Sequence, residues 1–225
     1  MGTRFWRLLQ LIMQHALYRV IRSALVFGWL LLALSGQARA NEQKILVLGD
    51  SISAAYGMSL EQGWVAQLAN VLREQDPRYT VVNASISGET TGGGLRRLPA
   101  LLQEHNPVLV IIELGANDGL RGFPLRTVEG NLNQLVTLSQ DHGAKVILLP
   151  MEIPPNYGPR YTKGFRETFR KVAVSTDSTL APFLLDNIAT DAQLMQADGL
   201  HPNVAAQSLI LENVLPTLTD VLSDS

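Results

Sequence analysis

The sequence predicts an α/β fold, and three observations carry that prediction. Short runs of Val, Ile and Leu recur without polar alternation, each is followed by a stretch with apolar residues at three- and four-residue spacing, and turn residues separate the two kinds of segment. This is the rhythm of strand–helix–strand units wound around a parallel sheet. Strands that stay apolar along their whole length are expected where helices cover both faces.

In chain order, residues 44–48, 79–82, 108–113 and 145–149 are the clear strands, and 181–185 gives a weaker fifth. Residues 63–73, 95–104 and 125–142 carry the helical spacing, and a last helix is expected over 204–222. In an open parallel sheet, ligands bind where loops leave the carboxyl ends of the strands. The chemistry is therefore expected there.

Residues 1–40 read as a targeting leader rather than as part of the fold. Arg4, Arg7, Arg19 and Arg22 precede an apolar run over 24–34, and Ala38-Arg39-Ala40 supplies a small-x-small site, so cleavage is expected after Ala40. The run is about half the roughly 20 residues that span a bilayer, so no stable membrane span is expected in the mature chain. Residues 41–225 are then enough for a single domain, with a periplasmic location and a monomeric state as the expectation.

The 225-residue chain carries a net charge of −2, and loss of the leader removes only basic residues, leaving the remainder more acidic. Nucleic acid is thereby excluded as a partner, since phosphate neutralisation needs clustered Lys and Arg and the nearest approach is the pair Arg96-Arg97. The absence of cysteine excludes disulfides, thiolate metal sites and a cysteine nucleophile. No metal-ligand spacing is visible, and no cofactor is expected.

Gly49-Asp50-Ser51-Ile52-Ser53 directly follows the first strand, placing Ser51 at its carboxyl end near the expected start of a helix, whose free N–H groups favour an oxyanion. Asp198-Gly199-Leu200-His201 precedes the last helix, and three residues is a spacing at which both side chains meet in one turn. Asp198 is placed to accept the imidazole Nδ1–H, leaving Nε2 to take the proton of Ser51. His105 and His142 fall near helix carboxyl ends and are assigned no chemistry.

Acyl transfer also needs donors for the developing oxyanion. Gly88, after the second strand, admits close approach of a backbone N–H, and the Asn117 carboxamide, after the third, offers a second donor. Asp118 is read as ordering that loop. Ile153, Pro154 and Tyr157, which follow the fourth strand and so enter the same sheet edge, are the expected walls of an acyl pocket.

On these residues the sequence resembles the SGNH hydrolases, or GDSL esterases, whose four marker residues correspond to Ser51, Gly88, Asn117 and His201. The stretches VVNASISGET, RRLPALLQEHNP, IIELGANDGLRGF and DGLHPN are similar to the bacterial periplasmic thioesterase I/lysophospholipase/arylesterase group. The resemblance implies a three-layer α/β/α fold around a flavodoxin-like parallel sheet of about five strands. It also implies a Ser51-His201-Asp198 triad and an oxyanion hole of the Ser51 N–H, the Gly88 N–H and the Asn117 side chain. Leu120 and Phe123, just past Asn117, resemble the family's substrate loop and are expected to line the pocket with those walls; aryl esters, acyl thioesters and lysophospholipids are the implied substrates. Ala116 departs from the pattern where the near group often has a second glycine.

Three rival readings are weaker. Gly92-Gly93-Gly94 before a helix suggests a phosphate loop, but no Lys-Ser or Lys-Thr follows and no G-x-G-x-x-G follows the first strand. A non-catalytic lipid-binding protein is disfavoured by the intact triad. A carbohydrate acetylesterase on the same fold is disfavoured by the apolar residues of the segment 151–161.

Overall fold

The computed structural model describes residues 42–223; the leader expected at 1–40 and its cleavage site lie outside them. Strand β1 (Gln43–Gly49) is followed by a 3-10 turn (Leu60–Gln62) and helix α1 (Trp64–Gln75), then β2 (Tyr79–Asn83) and α2 (Thr91–His105). Next come β3 (Leu109–Glu113), a short α3 (Ala116–Leu120), α4 (Leu125–Asp141) and β4 (Lys145–Leu148). The chain closes with α5 (Pro159–Thr176), β5 (Thr179–Leu180) and α6 (Gln207–Ser223).

The strands form one parallel sheet in the order β2-β1-β3-β4-β5. After β1 the chain steps outward to β2, then crosses back to lay β3 on the other side of β1. The loops leaving β1 and β3 therefore diverge and open a crevice between them. Ser51 stands after one of these strands and Asn117 after the other.

Helices α1 and α6 pack together as one layer, while α4 packs against both α2 and α5 as the other. The covered sheet explains the uninterrupted apolar strands: Ile45, Leu46, Val47 and Leu48 are all fully buried, as are Leu109 to Ile112 of β3 to within 1%. Trp64 and Leu68 of α1 and Phe165 and Phe169 of α5 fill the space on the sheet faces. Each such side chain removed from water stabilises the fold by about 1.5–3 kcal/mol. Among the described residues, no helix is long and apolar enough to cross a membrane.

Three expectations are corrected. Helix α5 occupies a stretch not expected to be helical; Tyr161, Phe165 and Phe169 recur every fourth residue and make its apolar face. The fifth strand is Thr179–Leu180, not 181–185: the Ala181 N–H still reaches the Leu148 carbonyl at 3.1 Å, but Pro182 has no N–H to extend the ladder. The triple glycine lies inside the first turn of α2, where Thr90 caps the Gly93 N–H at 3.1 Å.

Candidate active site

No regular helix begins at Ser51. Residues 51–57 form consecutive turns, closed by Ala54 N–H to the Asp50 carbonyl and Tyr56 N–H to the Ser51 carbonyl, both at 3.0 Å, and α1 starts only at Trp64. The expected helix dipole at the serine is thus replaced by a single tight coil. Its rigidity comes from below, because Asp50 and Ser53 are each 1% exposed and the Asp50 carboxylate accepts the Ile52 N–H at 3.1 Å.

The segment carrying His201 is built from local bonds at the surface. Met195 bridges Pro202 in an antiparallel pair, and the Gln196 N–H donates to the His201 carbonyl at 2.7 Å. Asp198 Oδ1 accepts the backbone N–H groups of Leu200 and His201 at 2.9 and 3.0 Å, and Oδ2 lies 2.6 Å from His201 Nδ1. A carboxylate can only accept, so Nδ1 carries the proton and Nε2 presents its lone pair. Ser51 Oγ is 2.8 Å from that Nε2. The bond from the His201 N–H, reinforced by the imidazole, pulls the Asp198 pKa down to about 2.

Two residues not singled out from the sequence bind this segment to the Ser51 turn. The Gln196 side-chain Nε2 donates to the carbonyls of Tyr56 at 2.8 Å and Pro202 at 3.0 Å, and the Tyr56 ring lies against the His201 imidazole with centroids 4.4 Å apart. Neither residue carries a motif. Only the folded register brings Tyr56 and Gln196 together across 140 residues.

Gly88 is carried beside the Ser51 turn by an extension of β2, in which the Ile86 N–H donates to the Gly49 carbonyl at 3.1 Å. Its φ of +77° favours glycine, and its carbonyl accepts from Arg121 at 3.0 Å. It stands exposed and does not line the cavity beside Ser51. Asn117 lies in α3 rather than in an irregular loop, and its Nδ2 donates to Asp50 Oδ2 at 3.1 Å. Fully buried Asp118 accepts the Thr91 N–H at 2.8 Å and the Thr91 hydroxyl at 2.5 Å, tying α3 to the start of α2.

A cavity of about 240 Å³ opens beside Ser51, Asn117 and His201. Leu120 and Pro154 line it as expected, together with Met151, Phe183, Leu185 and Leu200. Phe123, Ile153 and Tyr157, also expected there, do not line it. Phe123 packs on the core, Ile153 is buried against Gly119, and the Tyr157 hydroxyl reaches around to donate to the Leu120 carbonyl at 2.8 Å. Phe183 and Leu185 follow the displaced β5, so their arrival at the same sheet edge depends on a strand too short to leave a pattern. Among the described residues, no group of three or more His, Cys, Asp or Glu is arranged to hold a metal ion.

Comparison with known proteins gives a consistent outcome. Residues 47–209 match the family model described as GDSL-like lipase/acylhydrolase. Esterase TesA of Pseudomonas aeruginosa is 50% identical over 202 residues, covering 90% of this chain and all of the relative. Thioesterase 1/protease 1/lysophospholipase L1 of Escherichia coli K12 is 41% identical over 191 residues, covering 83% of this chain and 90% of the relative. The psychrotrophic esterase EstA of a Pseudoalteromonas species, in a crystal structure inhibited by monoethylphosphonate, superposes with a TM-score of 0.78 at 47% identity, covering 81% of this chain and all of the other.

Proposed function

Because the chain belongs to the GDSL-like lipase/acylhydrolase family, we propose that it is a serine esterase in which Ser51, His201 and Asp198 hydrolyse carboxylic ester and thioester bonds of acyl substrates. The observation that carries the reading is the 2.8 Å approach of Ser51 Oγ to His201 Nε2 across 150 residues of sequence. Ser51 Oγ attacks the acyl carbon as His201 Nε2 takes its proton, and Asp198 stabilises the imidazolium so formed. The carbonyl oxygen becomes an oxyanion received by the Ser51 N–H, the Gly88 N–H and the Asn117 carboxamide. His201 returns the proton to the departing alcohol or thiol, and water then releases the acid from Ser51 by the same steps.

The apolar cavity wall suits an acyl chain, with aryl esters, acyl thioesters and lysophospholipids as the substrate classes. Acetylated sugars fit it poorly, since Leu120, Phe183, Leu185 and Leu200 offer a sugar ring no hydrogen bonds. Export is part of the same reading: removal of residues 1–40 places the enzyme, as a monomer, in the periplasm, where phospholipid-derived and external esters are available and cytosolic acyl-CoA is not. Turnover measured across acyl length and leaving group tests the proposal. Decanoyl aryl esters and thioesters are expected to be cleaved well and acetylated xylan poorly; the reverse order defeats the acyl-pocket reading.

A further inference from the structure

Beneath Ser51 lie two carboxyl groups that these acyl-transfer steps do not use. Asp50 is 1% exposed and Glu113 fully buried, and they sit on adjoining strand ends, with Gly49 the register partner of Glu113. A Cβ on Gly49 would stand 2.7 Å from Glu113 Oε2, so the glycine is what lets the glutamate reach across β1. Glu113 Oε2 accepts from the Ser53 hydroxyl at 2.7 Å and from the Asp50 N–H at 3.2 Å.

Glu113 Oε1 is buried with no donor aimed at it, and the bond from the Asp50 N–H to Glu113 Oε2 sets the two buried carboxyl-bearing residues side by side. Two neighbouring carboxyl groups in a buried site do not readily both ionise. Asp50 is the better anion: its oxygens accept the Ile52 N–H and the Asn117 Nδ2–H, each at 3.1 Å, and it faces His201. Glu113 is the better acid, having an oxygen that nothing but a proton completes. The titratable groups facing the pair are each other and, across the nucleophile turn, His201. Burial pushes Asp50 up to about 6, and burial with the neighbouring Asp50 charge pushes Glu113 well above the ordinary carboxyl range.

We propose that Glu113 and Asp50 hold one proton between them at neutral pH, Glu113 Oε1–H donating to the Asp50 carboxylate, and that this pair positions Asn117 for catalysis. The two ends of a carboxamide have the same shape and opposite polarity. A carboxylate at Asp50 accepts only the Nδ2 end, so the second Nδ2–H is the one left to face the substrate. Reversed, Asn117 would turn a carbonyl oxygen toward the oxyanion. The inference rests on the reading of Asn117 as an oxyanion donor.

Two measurements test it. The first is the infrared spectrum of the folded protein at pH 7: the C=O stretch of a protonated carboxylic acid is expected in the parent and lost in Glu113→Gln, and its absence from the parent overturns the proposal. The second is kcat and KM against pH for Glu113→Gln, Glu113→Ala, Asp50→Asn, Asn117→Ala and the Asp50→Asn/Asn117→Ala double variant. Asp50→Asn is expected to lower kcat on the order of tenfold or more with little change in KM, and to add almost nothing in the Asn117→Ala background. Glu113→Gln, whose N–H replaces the acid O–H, recovers most of the turnover that Glu113→Ala loses and flattens the alkaline fall in kcat. Additive losses in the double variant overturn the positioning role. An unchanged kcat in Asn117→Ala overturns both that role and the oxyanion reading of Asn117, while the infrared band still decides the shared proton.

Discussion

The proposed nucleophile, Ser51, and its proposed base, His201, are held by opposite means. Ser51 rests on a dry layer in which Asp50, Ser53 and Glu113 are at most 1% exposed and bonded across strands, whereas Asp198 is exposed and the His201 segment is fixed mostly by bonds within about ten residues of sequence. A buried polar layer left half-satisfied costs the fold about 1–3 kcal/mol per group, while an exposed hydrogen bond can be replaced by water. Substitutions on the histidine side should therefore reduce turnover with little effect on folding, and substitutions beneath the serine should affect both strongly.

The largest expected effect is that of Ser51→Ala, which should lower kcat on the order of 10⁴-fold or more with the thermal melt nearly unchanged. Substantial residual turnover would remove the serine from the mechanism. Asp198→Asn should cost on the order of 10³- to 10⁴-fold in kcat, because an amide can hold the imidazole in the wrong tautomer, with only a small loss of Tm at neutral pH because the exposed carboxylate is screened by water. A clear fall in Tm would break the contrast between the two sides. Asn117→Ala should reduce kcat by on the order of a hundredfold, as expected for one oxyanion donor. Gln196→Ala removes the bonds to Tyr56 and Pro202 and should cost about fivefold, in kcat rather than in stability.

The contrast also has a pH signature of opposite sign on the two sides. Asp198 has a folded-state pKa of about 2 against an ordinary 3.8, so its contribution to stability is present above 3.8 and lost as pH falls toward 2. Glu113 has its pKa raised above 4.5, so its contribution is complete below 4.5 and lost as pH rises through the folded-state value. In denaturant titrations across pH, Asp198→Asn should approach the parent's stability in acid, and Glu113→Gln should gain on the parent in alkali.

Much of the fold was legible because β1 to β4 are apolar on both faces, and their sequences say so without reference to partners. Helix α5 was not: Pro159 and Gly164 read as loop punctuation, and the apolar positions Phe165, Phe169 and Val172 are set among charged residues. Ser51, Asp198 and His201 stood out as motifs of local spacing. Glu113 did not, since a glutamate ending an apolar run looks like a strand reaching solvent, and only the pairing of Gly49 with Glu113 places it under the nucleophile turn. The pocket was legible where it follows β3 and β4, at Leu120 and Pro154, and not where it depends on the two-residue β5, at Phe183 and Leu185.

The serine emerges 150 positions ahead of the imidazole proposed to activate it. During synthesis a growing chain therefore carries a dormant hydroxyl through most of its length, harmless to the acyl compounds around the ribosome. Any truncation that removes the closing segment leaves it dormant for good. Hydrolysis thus reports that the sheet has closed from its first strand to its last, which makes turnover a direct assay for correctly folded molecules whose chain extends through His201.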